Sequence, residues 1–232
     1  MDANTKNRNR MIVAIGIGVI AVIALAVIIL TSTAPVEATS KFAELPQSRR
    51  SDGGFVVGNP EAPITLVEFA DYACSFCQQY EETVGQFVER YVKTGQAKYE
   101  FWIFPTAGGE LTAFVGSALV CMEEQKSGAF WSMHDYLYQS ATRGSYDGNT
   151  ARQVAEQLGV DYGQALNCTA QQEYITNSVN LGREVGVSGT PAVRVRYGDG
   201  PAQVIVYQGQ TYDRSGVPID VLGAIVEAAN QG

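Results

Sequence analysis

One histidine, four cysteines and no basic run: the scarcities of this 232-residue chain restrict what it can do. A cysteine–histidine protease would need His134, the lone histidine, beside a cysteine. Nothing in the sequence places it there. His134 shares a helical face with Phe130, Met133 and Leu137, the setting of a core histidine. Sixteen Lys and Arg against 24 Asp and Glu leave a net charge of −8. That acidity, without a basic cluster, excludes nucleic acid as a partner and argues against an anionic-lipid surface. Internal repeats and low-complexity tracts are absent too. At 46% hydrophobic and 17% charged, the composition supports an ordinary packed core.

Residues 11–30, "MIVAIGIGVIAVIALAVIIL", carry no charge. As a helix, such a run spans roughly 30 Å, the thickness of a bilayer's hydrocarbon core. Lys6, Arg8 and Arg10 precede it, opposed only by Asp2. The positive-inside tendency then keeps residues 1–10 cytoplasmic and puts the remainder outside. The expectation is a single-pass protein with an uncleaved transmembrane anchor, so that the lipid bilayer is one partner. A cleaved signal peptide is the alternative: Ser32, Thr33 and Ala34 are suitably small. The apolar run, however, exceeds the roughly 7–15 residues of a signal core. Residues 31–54 mix Thr, Ser, Pro, Gly and charges without periodicity and read as a flexible linker. Residues 55–232 are one domain in length.

Within that domain, "APITLVEFA" (62–70) reads as a buried strand. A helix follows, with Tyr80, Val84, Phe87, Val88 and Tyr91 at helical spacing and Gly95 as its stop. A second strand covers 97–105. Residues 108–185 read as helical throughout, broken at 143–149. Two alternating strands, 191–197 and 202–209, flank a "GDG" hairpin turn, and 219–230 closes the chain as an amphipathic helix. Without the helical block the order is βαβ–ββα, a parallel unit with a hairpin able to pair beside it.

"DYACSFCQQYEE", 71–82, sets Cys74 and Cys77 where the first strand gives way to the helix. The free N–H groups and partial positive charge of a helix start favour a thiolate. Cys77, three residues on, lies on the same face of the first turn. The arrangement suits a dithiol that cycles, with Cys74 as the attacking sulfur. Two alternatives remain open. Zinc could use all four cysteines, although Cys121 and Cys168 are far apart where structural sites bring two close pairs. Cys74 and Cys77 could also form an inert crosslink.

"EFADYACSFC", "FWSMHDYLY" and "VGVSGTPAV" together resemble the DsbA-like branch of the thioredoxin superfamily, in its membrane-tethered form. The resemblance covers about 55–231. It implies an α/β thioredoxin fold with a helical insertion at about 108–185, preceded by one N-terminal transmembrane helix. It implies that Cys74 attacks and Cys77 resolves, without any cofactor or metal. Pro191 would be a cis-proline facing the dithiol, and the Thr190 backbone would pair with an extended substrate; an ordinary trans turn is the alternative. Glu68 would be a buried acid exchanging a proton with Cys77, unless it reaches solvent at the strand end. Cys121 and Cys168 would form a structural disulfide, or else remain two buried thiols. Phe69, Tyr72, Phe76 and Tyr80 cluster around the dithiol; Phe76 is the candidate for an apolar docking surface.

One departure bears on strength. Ser75-Phe76 stands between the cysteines where family members often carry Pro, then His or an aromatic. Without that histidine, one source of positive potential on Cys74 is missing. The implied partners are cysteine-containing exported proteins and a membrane redox protein of the DsbB or vitamin-K-epoxide-reductase type. The short linker leaves no room for a dimerisation region, which favours a monomeric dithiol oxidase. A reductase or isomerase is the alternative activity, and a non-enzymatic chaperone or binding module the alternative class.

Overall fold

The computed structural model describes residues 40–169 and 172–231. At its centre is β3 (Ile64–Ala70), buried along its whole length. Its β-branched and aromatic residues fit a pleated strand, and a strand covered on both faces needs apolar residues throughout. β4 (Lys98–Ile103) runs parallel on one side and β5 (Ala192–Tyr197) antiparallel on the other, so Glu68 is registered between Phe101 and Val193. β2 (Phe55–Gly58) and β1 (Gln47–Arg49) extend the sheet beyond β4. β6 (Gln203–Tyr207) and β7 (Gln210–Tyr212) extend it beyond β5, in the order β1-β2-β4-β3-β5-β6-β7.

Parallel neighbours need a crossover, and α1 (Ser75–Phe87) supplies it between β3 and β4. Cys77, Tyr80, Val84 and Phe87 recur at helical spacing and are its buried residues. Each large apolar side chain so buried contributes about 1.5–3 kcal/mol. The helix runs into a π-helical turn, Val88–Val92. Five helices follow β4: α2 (Gly109–Gln125), α3 (Ala129–Thr142), α4 (Thr150–Leu158), α5 (Tyr162–Thr169) and α6 (Tyr174–Glu184). After the hairpin, α7 (Ile219–Gln231) lays Leu222 and Val226 beside Phe87, Leu66 and Val195. The βαβ–ββα order and the helical insertion of the sequence reading are present.

Two expectations need correction. The transmembrane helix over 11–30 lies outside the described residues, and among the described residues no helix is long and apolar enough to cross a membrane. The physical reason is plain in the helices themselves: α2 has 17 residues and includes Glu110, Glu123 and Glu124, whereas a span needs about 20 predominantly apolar ones. The fold is therefore a thioredoxin fold with extra helices. The membrane-tethered form, the single-pass placement and the bilayer partnership that followed from an anchor are not supported.

The second correction concerns the linker read over 31–54. Its last part, from residue 40, belongs to the domain. Phe42 is fully buried, stacked on Tyr99 and against Trp131, and Lys41 is held by Glu81 and Asp135. β1 follows directly.

Cys121 of α2 and Cys168 of α5 are joined by a disulfide, with Cα atoms 5.9 Å apart and a sequence separation of 47. In the chain-entropy account a loop of this size is worth about 4 kcal/mol, with measured values often nearer 2. The double variant Cys121→Ser/Cys168→Ser is accordingly expected to lower the unfolding free energy by about 2–4 kcal/mol. Urea titration checks this; an unchanged midpoint would deny the bond a stabilising role.

Candidate active site

Cys74 is the residue just before α1. Its extended backbone (φ −76°, ψ 118°) is that of an N-cap, and its side chain makes no capping bond. Its carbonyl instead accepts the Gln78 N–H at 3.0 Å. The sulfur thus lies at the positive end of the helix dipole, with the residue 7% exposed. It lies 3.4 Å from the Thr190 carbonyl oxygen, to which the thiol donates. The Thr190–Pro191 peptide bond is cis.

Cys77 points the other way, into the core, and is fully buried. Both cysteines are free thiols. Burial pushes the Cys77 thiol well above the ordinary range, and the Glu68 carboxyl adds to that; the Asp71 backbone and, less, the Thr190 side chain offset part of it. Phe76, between the two, is 62% exposed.

Glu68 sits mid-strand in β3, fully buried. One carboxyl oxygen accepts the Tyr99 hydroxyl at 2.5 Å; Oε1 has no partner. Burial raises its pKa to about 8, the Glu81 carboxylate adds to the rise, and the Tyr99 hydrogen bond and Lys41 oppose it. Glu68 is therefore a protonated acid at neutral pH.

Beyond Glu68 lies a second polar group. Lys41 donates to Asp135 Oδ1 at 2.7 Å and pairs with Glu81. His134 Nε2 is 3.4 Å from Glu81 Oε1, and its ring packs edge-on against Phe101 at 4.5 Å. Burial opposes ionisation of Glu81, but His134 and Lys41 outweigh it and hold its carboxyl below the usual range. Glu81, His134 and Asp135 could offer three ligand atoms within 4.8 Å of one another. The Lys41 ammonium pairs with both of those carboxylates.

The structure brings Cys74, Cys77, Thr190 and Pro191 together, with Phe76 on the surface between the cysteines. Cys121 and Cys168 are apart from this group, bonded to each other across α2 and α5. Four residues near the site were given no role from the sequence: Lys41, Tyr99, Thr106 and Asp71. Asp71 had a signal, a carboxylate at the strand end three residues before Cys74. Lys41 had none, because its partners are 40 and 94 residues away.

The thioredoxin family matches residues 50–197, and the chain belongs to that family. A protein described as probable disulfide bond formation protein D, from Bacillus anthracis, is 25% identical over 150 residues, spanning 60% of this chain and 68% of that one. Among solved structures, a thioredoxin-like oxidoreductase from Silicibacter pomeroyi superposes with a TM-score of 0.59 at 22% identity, covering 86% of this chain and 99% of its own. BdbD from Bacillus subtilis, in its oxidised form, gives 0.61 at 17% identity, covering 76% and 92%. These similarities establish the fold. The site adds a CxxC pair of the kind that thiol–disulfide chemistry uses.

Proposed function

We propose that the protein is a thiol–disulfide oxidoreductase acting as a dithiol oxidase on cysteine-containing proteins. One observation carries this reading: a cysteine at a helix start, its sulfur against the carbonyl that precedes a cis-proline, with its partner cysteine buried behind it.

The steps follow from the positions of the sulfurs. In the oxidised protein, a substrate thiolate attacks Cys74 Sγ. The Cys74–Cys77 bond breaks, a mixed disulfide forms, and Cys77 leaves. A buried thiolate is unfavourable, so Cys77 takes a proton, and Glu68, protonated at neutral pH, is the group that supplies it. A second substrate thiolate then attacks the substrate sulfur of the mixed disulfide and releases Cys74. Two substrate thiols become one disulfide, and the Cys74–Cys77 pair gains two electrons, to be returned to a separate acceptor. The Thr190 backbone would align an extended substrate and Phe76 would cover an apolar side chain of it.

Oxidised protein mixed with a reduced two-cysteine peptide should convert it to the cyclic disulfide, one peptide per protein, followed by mass spectrometry. Failure to oxidise the peptide, with rapid reduction of the already oxidised peptide by the reduced protein, would reverse the direction and make it a reductase.

A further inference from the structure

Residues 213–217, between β7 and α7, are clamped at both ends. At one end, buried Arg194 of β5 holds Asp213 twice. Nη2 donates to Asp213 Oδ1 at 2.8 Å and Nη1 to the Asp213 carbonyl at 3.3 Å. Nε of the same side chain donates to the Val185 carbonyl at 2.9 Å, just past α6. At the other end, the Tyr80 hydroxyl of α1 donates to the Val217 carbonyl at 3.1 Å and accepts the Val217 N–H at 3.2 Å. Gly216 lies against the Tyr80 ring, where a Cβ would come within 2.3 Å of it. Arg194 stands three residues after Pro191 and Tyr80 three after Cys77. The turn thus bridges the two chain segments that carry the site.

The clamps leave Arg214 and Ser215 exposed. Ser215 has φ 68°. Left-handed backbone at a non-glycine residue is uncommon and persists where the surroundings impose it. The turn is therefore set before any substrate arrives. Arg214 Cδ is 3.8 Å from where a Cβ on Gly189 would stand, so its stem lies beside that residue. Gly189 precedes Thr190, whose carbonyl accepts the Cys74 thiol at 3.4 Å. On its far side the Thr190 hydroxyl is 2.6 Å from that of Thr106, whose N–H donates to buried Asp71 at 2.7 Å. Among the described residues no ion pair engages the Arg214 guanidinium, and the neighbouring acid, Asp213, is already paired with Arg194. In a chain of net charge −8, a free cation beside the cis-proline loop runs against the general sign.

We propose that Arg214 is a specificity-determining residue that selects substrates carrying an acidic side chain near the reacting cysteine. The assignment rests on the oxidoreductase reading above. An extended substrate paired beside Thr190 advances about 3.3 Å per residue, so a position one or two residues from its cysteine passes Gly189 and the cation. The exposed Phe76 ring, on the cysteine side of the site, reads apolar bulk; Arg214, on the loop side, reads charge.

Three reduced two-cysteine peptides test this, identical except that the residues flanking both cysteines are Glu, Gln or Lys. Oxidised wild type, Arg214→Gln and Arg214→Lys are each mixed with them at pH 7, and the rates are followed by acid quenching and mass spectrometry. The readout is the ratio of the Glu-peptide rate to the Lys-peptide rate within one protein, which cancels any difference in folded fraction. That ratio should fall about three- to fivefold in Arg214→Gln, the scale of an exposed charge pair, and stay within about twofold of wild type in Arg214→Lys. The Gln peptide should lie between the other two in its response. Raising the salt to about 1 M, where the screening length is about 3 Å, should bring the wild-type ratio to that of Arg214→Gln. A ratio unmoved in Arg214→Gln, or lost equally in Arg214→Lys, would overturn this assignment alone. A wild type that exchanges with none of the three peptides would overturn it together with the oxidoreductase reading, so the two failures are distinguishable.

Discussion

Glu68→Gln is expected to make the protein more resistant to unfolding than the wild type at pH 9, and no better at pH 4. The sign follows from linkage. Glu68 titrates near 8 when folded and near 4.3 when unfolded. Between those values the unfolded chain holds fewer protons on this residue than the folded one, so stability falls as pH rises through the window. Below about pH 4 both states are protonated and nothing is lost. A shift of this size corresponds to about 5 kcal/mol at its ceiling. Glutamine cannot ionise, and its carbonyl can still accept the Tyr99 hydroxyl. Urea midpoints of both proteins at pH 4, 6.5 and 9 check the prediction. Parallel curves across that range would mean that Glu68 titrates no higher in the folded protein than in the unfolded chain.

The two cysteine substitutions should behave oppositely. Cys74→Ser removes the attacked sulfur and is expected to reduce peptide oxidation to the uncatalysed rate. Cys77→Ser keeps the accessible sulfur and removes the one that resolves the intermediate. Incubated with a cysteine-containing protein bearing an activated disulfide, it should accumulate a stable mixed disulfide through Cys74, visible on a non-reducing gel and reversed by dithiothreitol. Trapping through Cys77 in Cys74→Ser, with none in Cys77→Ser, would exchange the two roles. The exposure difference, 7% against none, opposes that outcome.

How far the sequence revealed this depended on the range of the interaction. Strands β3, β4, β5 and β6 were legible because burial on one or both faces leaves runs of apolar or alternating residues. α1 and α7 were legible through their apolar stripes. β1 is three exposed residues, "QSR", and has no pattern to find. Residues 40–54 look like a linker by composition. What binds them is Phe42 stacked on Tyr99 and Lys41 reaching Glu81 and Asp135, partners that only the folded chain brings near. The cysteine pair was legible because its chemistry needs a fixed local spacing. The support for the Thr190–Pro191 loop was not, since Asp71, Thr106 and Thr190 are spread over 119 positions and meet through hydrogen bonds alone.

The anchor read over 11–30 rests on local hydropathy and lies outside the described residues. Hydropathy alone gives a strong local signal, and the conclusions hung on it reached far beyond the segment itself, to placement and to partners. The chemistry of the site depends on none of them.

Equilibration of the protein against graded glutathione buffers, with acid quenching, alkylation and mass spectrometry of each cysteine, tests the central claim most directly. Cys74 and Cys77 should titrate together as one two-electron couple, while Cys121 and Cys168 remain bonded. Their potential should lie between about −270 and −120 mV, the values of thioredoxin and DsbA, because Cys74 stands at a helix start but no histidine lies between it and Cys77. A potential at or below the lower value would contradict the oxidase direction. Cys74 and Cys77 that do not exchange with glutathione at all would contradict the account as a whole.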